Sequence, residues 1–192
     1  MARRKEFDRR QALEKAMEVF WSRGYEATTM TDLRLAMGIG RQSLYDTFGD
    51  KDKLFAEALA SYTKLNDENV KDVLKEQDGI KAVRTLLEAR VKMLSSGHRR
   101  GCLMMNSCVE LALHDEAVAN QLKKGLATMH REIERALARA LEQETLPKKV
   151  SIAETADFVL AQIAGMVVLS KTGASHKQLQ NVADKAMAAI ES

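Results

Sequence analysis

Proline occurs once, at Pro147, and aromatic residues make up only 5% of the 192 positions. With helix breakers this scarce and Ala, Leu, Met, Lys and Glu abundant, the composition favours helices and argues against a sheet-based fold. Cysteine occurs twice, as Cys102 and Cys108, too few for a disulfide framework or a multi-cysteine metal site. Glycine-rich phosphate loops, internal repeats and low-complexity tracts are missing. Long hydrophobic runs are missing as well. The longest stretch without charge, Phe158 to Ser170, is too short to cross a bilayer, and no apolar segment follows the basic N-terminus as a secretory signal requires. A cytoplasmic protein without a membrane partner is therefore expected. Charge of one sign is not in excess: 30 basic and 27 acidic residues give +3, which excludes a chain wrapped in nucleic acid but permits a local basic patch. Arg3, Arg4, Lys5, Arg9 and Arg10 against Glu6 and Asp8 account for that whole surplus.

What is present is 45% hydrophobic and 30% charged, enough to bury roughly 70% of the unfolded surface in one or two small domains. Apolar spacing and caps predict an all-α chain of about nine helices. The first follows Asp8, with Ala12, Leu13, Ala16, Met17 and Phe20 inward, and stops at Gly24. Thr29 with Asp32 resembles a capping box opening a short helix that ends at Gly38, and a second short helix runs from about Arg41 to Thr47. Asp50 caps a long helix from Lys51 to about Glu76. Asp78 and Gly79 start another that reaches Ser96. A helical segment from Gly101 to Leu113 precedes a long amphipathic helix to about Glu144, with Leu122, Leu126, Met129, Ile133, Leu137 and Leu141 on one stripe. Ser151 with Glu154, and Ser175 with Gln178, read as capping boxes for the last two helices. The first of these two is apolar nearly all round, so it is expected to be buried on several faces.

The segment from Gly24 to Phe55 carries the most information. A helix-turn-helix needs apolar residues where its helices meet, a Gly in the turn and a polar outward face on the second helix. Leu33, Met37, Ile39 and Leu44 meet the first need, Gly38 the second, and Arg41, Gln42, Ser43, Asp46 and Thr47 the third. An exposed Arg or Gln in a major groove makes bidentate contacts to guanine or adenine worth about 1 to 3 kcal/mol of discrimination. Asp46 would accept from a base amino group or from Arg41.

Gly24-Tyr25, Thr28-Thr29, Gly38-Ile39, Ser43-Leu44-Tyr45, Phe48, and Lys51 before Leu54-Phe55 together resemble the DNA-binding signature of TetR/AcrR-type transcriptional regulators. The resemblance implies a homodimer with an N-terminal three-helix DNA-binding domain, here residues 1–50, and a helical ligand-binding and dimerisation domain, here 51–192. It implies that Thr29, Tyr45 and Lys51 touch phosphates of a double-stranded operator, and that Arg41, Gln42, Ser43, Asp46 and Thr47 face its bases. A helix N-terminus and a Lys both suit a phosphate on physical grounds. Two positions depart from the family pattern: Arg34 stands where a small residue is usual, and Gly40 where a Ser often caps the recognition helix. Arg3, Arg4 and Lys5 form a basic arm with either a general electrostatic role or a place in the minor groove.

Further along, Gly101-Cys102-Leu103, Glu110-Leu111-Ala112 and Gly165 to Gly173 resemble a branch of the family that shares a Gly-Cys-Leu element. The resemblance implies that helices 151–172 and 175–191 form a four-helix interface with their copies, through Phe158, Ile163, Val167, Leu179, Val182 and Ala186. Their apolarity supplies a motive, because a lone chain would expose it to water. Met93, Cys102, Met105, Asn106, Cys108 and Glu110 form a soft, polarizable region that would either line an effector pocket or fill the core. Asn106 and Glu110, four apart, would be its polar handles. Cys102 lies at a helix N-terminus near His98, Arg99 and Arg100, a setting that favours a reactive thiolate, with an inert buried thiol as the other reading. Repression, relieved by a small effector or by thiol modification, is what the family implies.

Nothing points to an enzyme. His98, His114, His130 and His176 follow no catalytic or metal spacing and no nucleophile elbow is visible, so neither cofactor nor metal is expected. A helical adaptor that never touches DNA would match the composition equally well, but not the polar surface of 41–47.

Overall fold

The computed structural model describes residues 7–97 and 99–192. Among these residues nine helices form and no strand does: α1 (Arg9–Arg23), α2 (Met30–Met37), α3 (Arg41–Phe48), α4 (Lys51–Leu74), α5 (Gly79–Leu94), α6 (Leu103–Leu111), α7 (Glu116–Glu142), α8 (Ile152–Lys171) and α9 (His176–Glu191). The chain packs as two units, residues 1–64 with 102–122, and residues 65–101 with 123–192.

In the first unit Asp8 caps α1 by accepting from the backbone N–H of Arg10 and Gln11, and α1 buries Ala12, Leu13, Ala16, Met17 and Phe20. Thr29 and Asp32 form the full capping box of α2. Gly38 closes that helix at φ 69°, in the left-handed region where a side chain would be strained. Gly40 precedes α3 in extended conformation and supplies no side-chain cap. Both helices are only 8 residues long, too short to stand alone, so their stability comes from packing. Leu33, Met37, Ile39, Leu44 and Phe48 are all buried, and Phe20 meets Phe55 edge to face at 5.0 Å.

In the second unit α5 lies against α7 so closely that a Cβ on Gly79 would stand 2.2 Å from the carbonyl oxygen of Ala136. Gln143 Oε1 accepts from the Gly79 N–H at 3.0 Å, and Arg139 donates to the carbonyls of Leu74 and Glu76. The C-terminal turns of α7 thus satisfy the backbone groups freed at the α4–α5 turn. Of the α7 stripe, Met129, Ile133 and Leu137 are buried, while Leu126 and Leu141 are half-buried.

Three expectations need correction. Ser151 stands at the N-cap of α8 but its hydroxyl makes no capping bond, whereas Ser175 and Gln178 do form a box for α9. α8 is also not enclosed: α5 and α9 pack against it, leaving Phe158 at 38%, Val168 at 60% and Leu169 at 41% exposure. Finally, α8 is long and apolar enough, by length and composition, to cross a membrane, with a mean hydropathy of 1.6. Its buried residues Ala156, Val159, Ile163, Met166 and Val167 make it a packing helix of this unit.

Candidate nucleic-acid interface

The spacing of apolar residues orients α3. Leu44 and Phe48, four apart, are its buried residues, which turns Arg41, Gln42, Tyr45 and Asp46 to solvent and leaves Ser43 and Thr47 half-buried at its edges. Gln42 Nε2 donates to Asp46 Oδ1 at 2.8 Å, so the helix partner of Asp46 is Gln42 rather than Arg41. The Arg41 guanidinium lies 6.0 Å from the Tyr45 ring centroid, and Tyr45 is 42% exposed. The helix offers a cation, an amide and a phenol on one open face, the groups that bind phosphates and base edges.

The flanking elements hold α3 in place. Arg9 of α1 stacks over the Phe48 ring at 4.9 Å and pairs with Glu57 of α4 at 2.5 Å. Thr29 is exposed, its hydroxyl donating to Asp32 Oδ2 at 2.6 Å. The Thr29 hydroxyl, then the Thr29 backbone N–H, then Arg23 hold the Asp32 carboxyl below its usual range. Lys51 opens α4 with Nζ 4.1 Å from the Tyr25 ring centroid. The Tyr25 hydroxyl donates to Asp52, and burial, then that bond and the Asp52 charge, push the phenol well above its ordinary value of 10.0. Arg34 is half-buried in the last turn of α2. The arm Arg3, Arg4 and Lys5 lies outside the described residues, as does His98.

The residues proposed for a pocket or sensor divide between the units. In the second, Met93 is half-buried near the end of α5. In the first, Cys102 is buried at the N-cap of α6, and the Tyr62 hydroxyl donates to its Sγ at 3.5 Å. Tyr62 in turn meets Trp21 of α1 edge to face at 5.1 Å. Met105, Asn106 and Cys108 are half-buried. Burial first, and then Cys102, push the Cys108 thiol up from its ordinary value of 9.0.

Glu110 is committed elsewhere. Its Oε2 accepts from the Tyr25 N–H at 3.0 Å and its Oε1 from the Glu26 N–H at 2.7 Å. Sequence reasoning missed this contact, since partners 85 and 84 residues apart leave no local pattern. Among the described residues no group of His, Cys, Asp and Glu could hold a metal ion.

Of the residues assigned to a dimer interface, Phe158 is exposed and Val182 half-buried, while Ile163, Val167, Leu179 and Ala186 are buried in the chain's own second unit. The open stripe of α8 runs instead through Phe158, Ala161, Gly165 and Val168.

Comparison with known proteins agrees with this geometry. Residues 12–58 match the family model of bacterial regulatory proteins of the tetR family, and residues 79–186 match the tetracyclin repressor-like C-terminal domain. The HTH-type transcriptional regulator YezE of Bacillus subtilis is 31% identical over 100% of both chains. The HTH-type transcriptional repressor ComR of Escherichia coli is 30% identical over 94% of this chain and 88% of its own. A cysteine mutant of the TetR family regulator CifR, complexed with 26-base-pair double-strand operator DNA, superposes with a TM-score of 0.88 at 31% identity, covering 98% of this chain and 100% of that one. The chain belongs to the TetR family of helix-turn-helix transcriptional regulators.

Proposed function

We propose that the protein is a cytoplasmic, non-enzymatic repressor that binds a palindromic operator as a homodimer, with residues 1–50 reading DNA and 51–192 receiving an effector and dimerising. The observation that carries this reading is the outward face of α3, where Arg41, Gln42, Tyr45 and Asp46 stand open above a buried Leu44 and Phe48. Arg41, Gln42, Ser43, Asp46 and Thr47 would face bases, and Thr29, Tyr45 and Lys51 phosphates. CifR, whose structure contains operator DNA, and ComR, a repressor by name, support the assignment. The exposed apolar stripe of α8 supplies the motive for a dimer, because water contact with Phe158 and Val168 is relieved by a second copy. Small-molecule binding or modification of Cys102 would release the operator by favouring a different separation of the two reading heads; a preference of about 2 to 3 kcal/mol weakens binding on the order of a hundredfold.

The test is selection of duplexes by the purified protein, followed by binding titrations at several salt concentrations and equilibrium sedimentation. A two-fold symmetric site, a dimer, and a salt slope rising by about 0.9 for each neutralised phosphate are expected. Indifference to every duplex at low ionic strength would overturn the reading and favour a helical adaptor.

A further inference from the structure

Arg90 of α5 is 8% exposed and Asn66 of α4 is 5% exposed. The guanidinium Nη2 donates to Asn66 Oδ1 at 2.9 Å, while Nε is buried without a hydrogen-bond partner. The other buried residues on this stretch of α5 are Leu86, Leu87, Val91 and Leu94. Ion pairs in this unit include Lys75 with Asp72, Arg84 with Glu191, Arg135 with Glu132 and Lys148 with Glu144; among the described residues none takes in Arg90. Asp67, next to Asn66 on α4, does not serve either: its carboxyl is held up by burial and feels Lys71 and Glu132, and its own buried Oδ1 has no partner.

A guanidinium cannot shed its charge at any physiological pH. A buried cation is costly unless an anion meets it, and the neutral carbonyl of Asn66 offers a single dipole. The fork geometry of Arg matches a carboxylate, and the apolar neighbours suit a hydrocarbon body rather than a multiply charged one. We infer that the effector of this regulator is a monocarboxylate with an apolar body, and that Arg90, held by Asn66, is the residue that binds its anionic end. The inference rests on the effector-responsive reading above and names the chemical class of that effector.

The experiment compares decanoate with decanol, and benzoate with benzyl alcohol, by thermal shift and titration on the full-length protein and its Arg90→Gln and Arg90→Met variants, with operator binding measured in parallel. At least one carboxylate is expected to raise the melting temperature and to bind about tenfold or more tighter than its alcohol. Arg90→Gln removes that preference for carboxylate over alcohol. Arg90→Met, relieved of a buried charge, melts at or above the wild-type temperature without ligand. Alcohols binding as well as carboxylates, no carboxylate binding, a preference that survives in Arg90→Gln, or an Arg90→Met that melts lower would each overturn the inference. Operator binding that persists in those cases leaves the regulator reading standing; its loss in the wild type would sink that reading instead.

Discussion

The Cβ that Gly24 lacks would stand 3.0 Å from Oε2 of Glu110, the same oxygen that accepts from the N–H of Tyr25. Gly24 also sits at φ +84°, so the turn after α1 needs glycine both for its backbone and for the carboxylate beside it. Glu110 gathers two consecutive backbone donors that would otherwise be left to water.

Glu110→Ala should lower unfolding free energy by about 2 kcal/mol, the range of hydrogen bonds to a charged acceptor. Hydrogen exchange at the Tyr25 and Glu26 amides should accelerate. Gly24→Ala should cost about 1 to 3 kcal/mol through strain and crowding. In the double variant the losses should sum to more than is observed, because one substitution removes what the other collides with. Urea titrations of the four proteins check this, and strict additivity would separate the two residues.

Tyr45→Ala should weaken binding to specific and random duplexes alike and reduce the salt slope by about 0.9, as loss of a phosphate contact does. Gln42→Ala and Arg41→Ala should instead relax sequence choice, each by about 1 to 3 kcal/mol at one operator position. Competition titrations with point-substituted operators distinguish the two patterns.

Phe158→Asp and Val168→Asp should weaken dimerisation while leaving the melting of a single chain nearly unchanged, because both side chains are open to solvent. Gly165→Ala, where an added Cβ meets nothing within 4 Å, should stabilise the α8 helix by roughly 0.5 to 1 kcal/mol in the isolated chain. Sedimentation equilibrium together with denaturation at low concentration reads both effects.

Asp67 titrates above its ordinary value of 3.8 in the folded chain. A carboxyl raised by folding binds its proton more tightly in the native state, so stability falls as pH rises from the unfolded value through the folded one. Asp67→Asn should remove that loss, leaving the protein at least as stable at neutral pH and flattening the pH profile just above 3.8. Denaturant midpoints measured across that interval provide the check.

Local chemistry was legible in the sequence because its partners are three or four residues apart. The capping boxes at Thr29 and Ser175 and the buried face of α3 follow from such spacing. The same spacing overstated Ser151, whose pattern is that of a cap but whose hydroxyl is not bonded as one. The family resemblance assigned Ile163, Val167 and Leu179 to a partner surface, with their apolarity as the motive, and the single chain already buries them. Apolarity alone does not tell a neighbouring helix of the same chain from one of a second copy, since both supply the same apolar contact. The partners of Glu110 and the pairing of Arg90 with a neutral Asn66 rather than a carboxylate were invisible for a related reason: each depends on what distant segments bring alongside.

The unit that carries α3 is assembled from two stretches of sequence, 1–64 and 102–122. A hybrid protein made by splicing a foreign reading head onto this body at residue 50 would therefore leave Glu110 facing a turn it did not evolve with. Grafts that transfer both stretches together, or that at least match residue 24 to residue 110, should yield hybrids that fold and respond, whereas single-junction grafts should be prone to failure.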